Sequence, residues 1–240
     1  MRVPTNMEVR LLLMRSVLAL WTLGTASGLS RVGSGLPIAC AAAPSSARSH
    51  PLTCLATLDA GTRFEPLSLP TLSDVELQKL RRGVRVQRQQ LIGKLGTGFA
   101  VQDVRADADA VWSKVSAFND YARLIKTVRS VTPYRPSVPV AGTNCYNFVV
   151  SRIRLQLKVR FRKDEALRHA AWELERPSWV LADSTGCWHV QPLDARPGYV
   201  RVWFFASVKL RARVPAFVQN LVSRLGLQRA CGWVATLSNK

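Results

Sequence analysis

The sequence predicts an α+β domain in which a curved antiparallel sheet wraps around a long C-terminal helix, carried behind an N-terminal leader. Three observations predict it. Residues 152–161 alternate apolar and polar side chains almost without exception, two short helical patterns follow the first strand directly, and a broad apolar helical stripe begins after Pro215. Period-two alternation of that length marks a strand with one face buried and one face toward water. A 3.6-residue stripe marks a helix lying on a core.

The leader comes first. Arg2 and Arg10 precede an apolar stretch from Leu11 to Leu23, broken only by Arg15, and the small residues Gly24, Thr25, Ala26, Ser27 and Gly28 follow. This is the pattern of a secretory signal, residues 1–28. The apolar run falls short of the roughly 20 residues that cross a bilayer, so no transmembrane helix is expected in the mature protein. Residues 29–63 are rich in Ala, Ser, Gly and Pro and hold no acid before Asp59, a transit-peptide composition. A signal-like segment followed by a transit-like one is the bipartite leader of plastids with extra membranes. Plastid delivery is therefore expected, with the secretory pathway or the mitochondrion as alternatives. The whole chain of 240 residues carries 34 Lys and Arg against 15 Asp and Glu. Without residues 1–63 the balance is 28 against 13, or +15, so the basic character belongs to the mature protein.

Residues 64–94 read as a lead-in with one short helix over Val75 to Leu80. Ser73 is its N-cap, Asp74 and Glu76 suit its first turn, and Lys79, Arg81, Arg82 and Gly83 stop it. The domain proper is expected over 95–240. Its first strand is read over Lys94 to Arg105, with Phe99, Val101 and Val104 as apolar positions. Asp107 then caps a helix whose Ala108, Val111, Trp112 and Val115 share one face. Asn119 opens a second short helix with Tyr121, Leu124, Ile125 and Val128 as its stripe.

About six further strands follow, separated by Pro, Gly and charged breaks. In the clearest, Ile153, Leu155, Leu157, Val159 and Phe161 point one way, and Arg152, Arg154, Gln156, Lys158, Arg160 and Arg162 the other. Ala170, Trp172 and Leu174 alternate with Ala171, Glu173 and Glu175, and a strand from Val180 to Gln191 carries Trp188. In the last strand Val200, Val202, Phe204, Ala206, Val208 and Leu210 oppose Arg201, Trp203, Phe205, Ser207, Lys209, Arg211 and Arg213, which predicts a basic and aromatic outer face. Phe217, Val218, Leu221, Val222 and Leu225 give the closing helix, from Pro215 to about Ala235, its apolar side. Strand, two short helices, a run of antiparallel strands and a long final helix is the helix-grip order, which leaves a cavity between sheet and helix.

Three segments, Val104 to Tyr121 (VRADADAVWSKVSAFNDY), Gly186 to Pro192 (GCWHVQP) and Val202 to Phe217 (VWFFASVKLRARVPAF), lie in this order and spacing. In these the chain resembles the polyketide cyclase/dehydrase and coenzyme Q-binding group of START-like (SRPBCC) proteins, including their plastid-directed plant and algal members. The resemblance covers about 140 residues, essentially the whole domain. It implies the helix-grip fold and an apolar ligand such as a quinone or lipid, and it implies no particular reaction.

The expected pocket is lined by Trp172, Trp188, Phe204, Phe217 and Leu221, with Tyr121 near its mouth, and selects by size and shape. A non-catalytic binding or transfer protein is the first expectation. A cyclase or dehydratase in which Tyr121 or His189 supplies a proton is the second, favoured by an inward His189 beside a polar pocket. Cys187 and His189 are two apart on one strand, so their proximity is automatic and no orienting acid accompanies them. No catalytic residue is therefore assigned.

The five cysteines and three histidines form no metal-ligand spacing, and neither a metal nor a cofactor is expected. The glycines at 93, 96 and 98 lack phosphate-loop spacing and read as a turn. Asp107 with Asp109, and Glu173 with Glu175, read as a cap and a solvated face. The basic residues Arg152, Arg154, Lys158, Arg160, Arg162, Arg201, Lys209 and Arg211 form a surface that could dock on an anionic membrane. RNA tracking, with Trp203 and Phe205 as stacking platforms, is the less favoured alternative. The inserted glycine and proline stretch from Pro133 to Gly142 leaves the mouth of the pocket undefined by sequence.

Overall fold

The computed structural model describes residues 68–150, 154–212, 214, 227–228 and 230–238. Eight strands form one antiparallel, curved sheet: β1 Val86–Ile92, β2 Leu95–Arg105, β3 Val128–Pro133, β4 Thr143–Val150, β5 Leu155–Asp164, β6 His169–Leu174, β7 Leu181–Pro192 and β8 Tyr199–Leu210. Their spatial order is β1-β2-β8-β7-β6-β5-β4-β3. Helix α1 (Asp74–Arg81) precedes the sheet, and α2 (Ala108–Val115) and α3 (Tyr121–Leu124) connect β2 to β3. This is the predicted α+β, helix-grip arrangement.

The local signals act as the sequence implies. Ser73 and Glu76 form a reciprocal cap on α1, the Ser73 amide donating to the Glu76 carboxylate at 2.8 Å. The Asp107 carboxylate accepts from the amides of Asp109 at 2.9 Å and Ala110 at 3.0 Å, satisfying donors that the first turn of α2 leaves open. Val111, Trp112 and Val115 are buried, so the stripe of α2 is core.

Two boundaries differ from expectation. The first strand in the chain is β1, which the lead-in supplies upstream of residue 95. It pairs with the first seven residues of β2 through the turn Gly93–Lys94, from Val86↔Val101 to Ile92↔Leu95. Its sequence, VQRQQLI, is too polar to announce a strand, and pairing with the neighbouring β2 makes it one. The strand read from Arg152 instead begins at Leu155, because Arg154 sits in a turn with φ 50°. Ile153 and Arg152 lie outside the described residues, as do the leader, Pro215, Phe217, Leu221 and Arg213.

The sheet buries both faces. Its concave face, with Ala100, Val104, Trp188, Val190, Val202 and Phe204, packs against α2, α3 and the C-terminal residues Leu227, Cys231, Trp233 and Val234. The Leu227 side chain is seated on a notch in β2. A Cβ on Gly98 would lie 2.8 Å from the Leu227 side chain and 2.6 Å from the Arg88 carbonyl oxygen, so only glycine admits Leu227 here. The convex face carries a second core: Phe99, Val101, Ala171, Cys187, Trp203 and Phe205 lie under Leu80 of α1, Val86 of β1, and the preceding Leu69 and Leu72. A third cluster, Leu155, Val180, Leu181, Leu210 and Val214, closes one end of the sheet.

The expected basic and aromatic outer face is thereby corrected. Trp203 and Phe205 do point outward, but they are only 2% and 4% exposed because α1 covers them. Covering this aromatic pair removes far more apolar area from water than the short helix could bury alone, which is why the lead-in docks.

Candidate functional site

The concave face is tied off by polar bonds at the α2 end, and its apolar side chains are less completely covered toward the third cluster. At the α2 end the Trp112 indole donates to the Glu165 carboxylate, which Lys163 also holds at 2.9 Å, and Arg168 pairs with Asp109 at 2.7 Å. These bonds tie α2 to the β5–β6 turn. Inside, Phe118 stacks on Phe161 with centroids 3.9 Å apart, and Trp188 meets Phe204 at 4.4 Å.

Moving toward the other end, the inward side chains are incompletely covered. Tyr146, Leu157, Trp172 and Leu174 pack on the concave core yet remain half-buried. Their register places them together: Tyr146 and Leu174 both oppose Val159, Phe161 opposes Trp172, and Trp172 opposes Gly186. Leu157 and Leu174 also border the third cluster, so this apolar strip lies between two packed groups. The Trp172 indole lies over Gly186, where an added Cβ would come within 2.5 Å of it. Several polar side chains share the concave face, Ser184 on β7, buried opposite Val208, among them. Gln102 is buried on β2, opposite Val202, and the Tyr146 hydroxyl has its pKa raised, chiefly by burial.

The predicted pocket residues therefore separate. Trp172 belongs to the half-buried strip. Trp188 and Phe204 face inward but are packed into the core. Tyr121 is not at a mouth: it is buried, its hydroxyl donates to the Val115 carbonyl at 2.6 Å, and burial holds its pKa well above the ordinary range. Phe217 and Leu221 lie outside the described residues. Tyr146 and Leu157 were not singled out. The alternation Asn144, Tyr146, Phe148, Val150 is the signal that places Tyr146 on the inward face.

The expected acids and bases are also placed. His189 faces the convex side, directly opposite His169 across β6–β7, with ring centroids 6.0 Å apart. Its neighbour Trp188 points inward, so parity alone denies His189 the concave face. Burial, then the neighbouring His189, lowers His169 to about 4. Cys187 is on the same convex face, buried in the second core. Asp107 is a cap, Asp109 pairs with Arg168, Glu173 pairs with Arg160, and Glu175 accepts from the Tyr134 hydroxyl.

The basic row is broken up by the same contacts. Arg201 is clamped by Asp103, Arg160 by Glu173 at 2.8 Å, and Lys158 lies 4.8 Å from the Tyr134 ring centroid. Arg162 is half-buried, while Arg154, Lys209 and Arg211 are exposed. Trp203 and Phe205 are buried and unable to stack on bases, which corrects the RNA alternative in that form. Among the described residues no group of His, Cys, Asp and Glu could hold a metal ion, and no helix is long and apolar enough to cross a membrane.

No protein-family model and no curated protein sequence matches the chain. Among solved structures it is similar to the Zhui aromatase/cyclase from Streptomyces sp. R1128, at 17% identity over 58% of this chain and 93% of that one, with a TM-score of 0.49. A START superfamily protein from Mycobacterium smegmatis is similar at 15% identity over 58% and 94%, with a TM-score of 0.46. A STAR-related lipid transfer protein from Xanthomonas axonopodis is similar at 10% identity over 70% and 96%, with a TM-score of 0.49.

Proposed function

We propose that this protein binds an apolar small molecule, such as a quinone or a lipid, between the concave face of the sheet and the C-terminal helix, and sequesters or transfers it without turning it over. The observation that carries this reading is the half-buried strip of Leu157, Trp172 and Leu174 between two packed clusters. Covering such a strip with an apolar molecule would contribute about 25 cal/mol per Å² of area removed from water. Apolar side chains dominate the face, so size and shape would select the ligand.

The test is native mass spectrometry of the full chain purified without detergent, followed by organic extraction. A stoichiometric apolar compound is expected, and Trp172→Ala should lower uptake of added quinone or lipid by about tenfold or more, the worth of a buried aromatic ring. A protein that is empty and takes up neither class would end this reading.

A cyclase or dehydratase is the second reading, and the Tyr146 hydroxyl favours it. A phenol carries its proton at neutral pH with or without burial, so the Tyr146 hydroxyl, on the concave face, could hydrogen-bond to a substrate carbonyl and donate a proton to it. Tyr146→Phe would then bind ligand normally and lose turnover. We further propose plastid delivery by the bipartite leader, tested by fusing residues 1–63 to a fluorescent protein.

A further inference from the structure

The tip of the β1–β2 hairpin is apolar and uncovered. Leu91 is 50% exposed, Ile92 65% and Leu95 40%, three exposed apolar side chains within five residues, with only Gly93 and Lys94 between them. The tip is joined by backbone bonds to two further exposed groups. The Leu210 amide donates to the Lys94 carbonyl at 2.9 Å, and the Arg211 amide donates to the Val180 carbonyl at 2.9 Å, beside Trp179, which is 54% exposed. Lys94 reaches back to the Ala212 carbonyl at 3.1 Å, and Lys209 lies opposite Leu95 in register. Four apolar side chains and the cations Lys94, Lys209 and Arg211 thus share one end of the sheet. The acid in this register, Asp183, lies opposite Lys209.

We infer that this end is a docking surface for an anionic lipid bilayer. Side chains of Leu, Ile and Trp enter the boundary between head groups and acyl chains, where the indole ring is suited by its apolar body and polar N–H. Lysine and arginine around them meet the lipid phosphates, each contributing about fivefold in affinity near an anionic surface. A protein partner would need no basic ring, and RNA would need stacked aromatics in a groove, whereas Trp179, Ile92 and Leu95 protrude. The surface is not the sheet face expected from the alternation, whose arginines at 160 and 201 are already paired. It stands whether or not the concave groove is occupied, but the third cluster lies at the same end. A docked protein would present that end of the groove to the membrane.

The experiment is co-sedimentation of the full chain with vesicles of phosphatidylcholine alone and of phosphatidylcholine with phosphatidylserine. Lys209→Glu with Arg211→Glu should weaken binding to the anionic vesicles by about 25-fold or more. Arg105→Glu with Arg135→Glu, an equal charge change at exposed sites of the opposite end, should weaken it far less. Ile92→Ser with Trp179→Ala should cost about tenfold on anionic vesicles with net charge unchanged. Circular dichroism of each variant checks that the sheet is intact. Equal losses in the two charge variants, an apolar variant that binds normally, or a Lys209/Arg211 variant that loses RNA but keeps vesicles would overturn the proposal.

Discussion

Arg201 grips Asp103 with two parallel bonds across β8 and β2, Nε to Oδ1 at 2.7 Å and Nη2 to Oδ2 at 3.0 Å, and the Asp103 side chain is almost wholly removed from water. The pair sits in direct register beside the aromatic second core. Removing one partner strands the other charge. Asp103→Ala is expected to destabilise the fold by about 3 kcal/mol or more in urea denaturation. The double change Asp103→Leu with Arg201→Met should recover most of that loss, since no buried charge then remains unpaired.

Gly186 offers a test of packing on the other face. Its position lies under the Trp172 indole, and an added methyl would also collide with the Phe205 carbonyl oxygen. Gly186→Ala should cost about 1–3 kcal/mol through overpacking. Adding Trp172→Leu should restore only part of it, because the backbone oxygen cannot yield. Thermal melts of the single and double variants measure the difference.

The lead-in helix is expected to be a structural part of the domain. Leu80 is fully buried against the aromatic second core, and Leu80→Ala should destabilise by about 2–4 kcal/mol. Glu76 adds a pH signature. The hydrogen bond from Arg88 holds its carboxyl at about 2, below the ordinary value of 4.5. Because the folded value is depressed, the stabilisation is complete above pH 4.5 and is lost as pH falls from there toward about 2. Glu76→Gln should remove that acid limb from the stability profile, read by chemical denaturation across pH.

His169 predicts a second limb at higher pH. It is held neutral at about 4 when folded and takes up a proton near 6.5 when unfolded, so the unfolded chain binds more protons between those values. Stability should therefore be unaffected above pH 6.5 and decline by about 3 kcal/mol as pH falls toward 4. His169→Phe should reduce the decline in that window, leaving the part due to His189, whose pKa burial also lowers, while the Glu76 limb below it persists.

Local chemistry was legible in the sequence because it depends on neighbours a few residues apart. The caps at Ser73 and Asp107 follow from a side-chain oxygen placed before open amides, and the inward and outward sets of β5 and β8 follow from the pleat. Together these determined the α+β class and the helix-grip order. Alternation, however, separates two faces without saying what lies against either. Trp203 and Phe205 were correctly sorted to the outer face, and only α1, arriving from outside the expected domain, decided that this face is dry. Parity likewise put His189 beside Trp188 on opposite sides, but the direction of the concavity was needed to learn which of them faced the groove. The same limit hid the fate of the basic row: whether an arginine is free depends on the strand beside it, and Asp103 is 98 positions from Arg201. What the sequence by itself determined was the order of elements and their two-sided character, since both come from local periodicity. Which face is covered, which charges are paired and where apolar groups remain exposed were decided by contacts between distant segments, which only the folded sheet brings together.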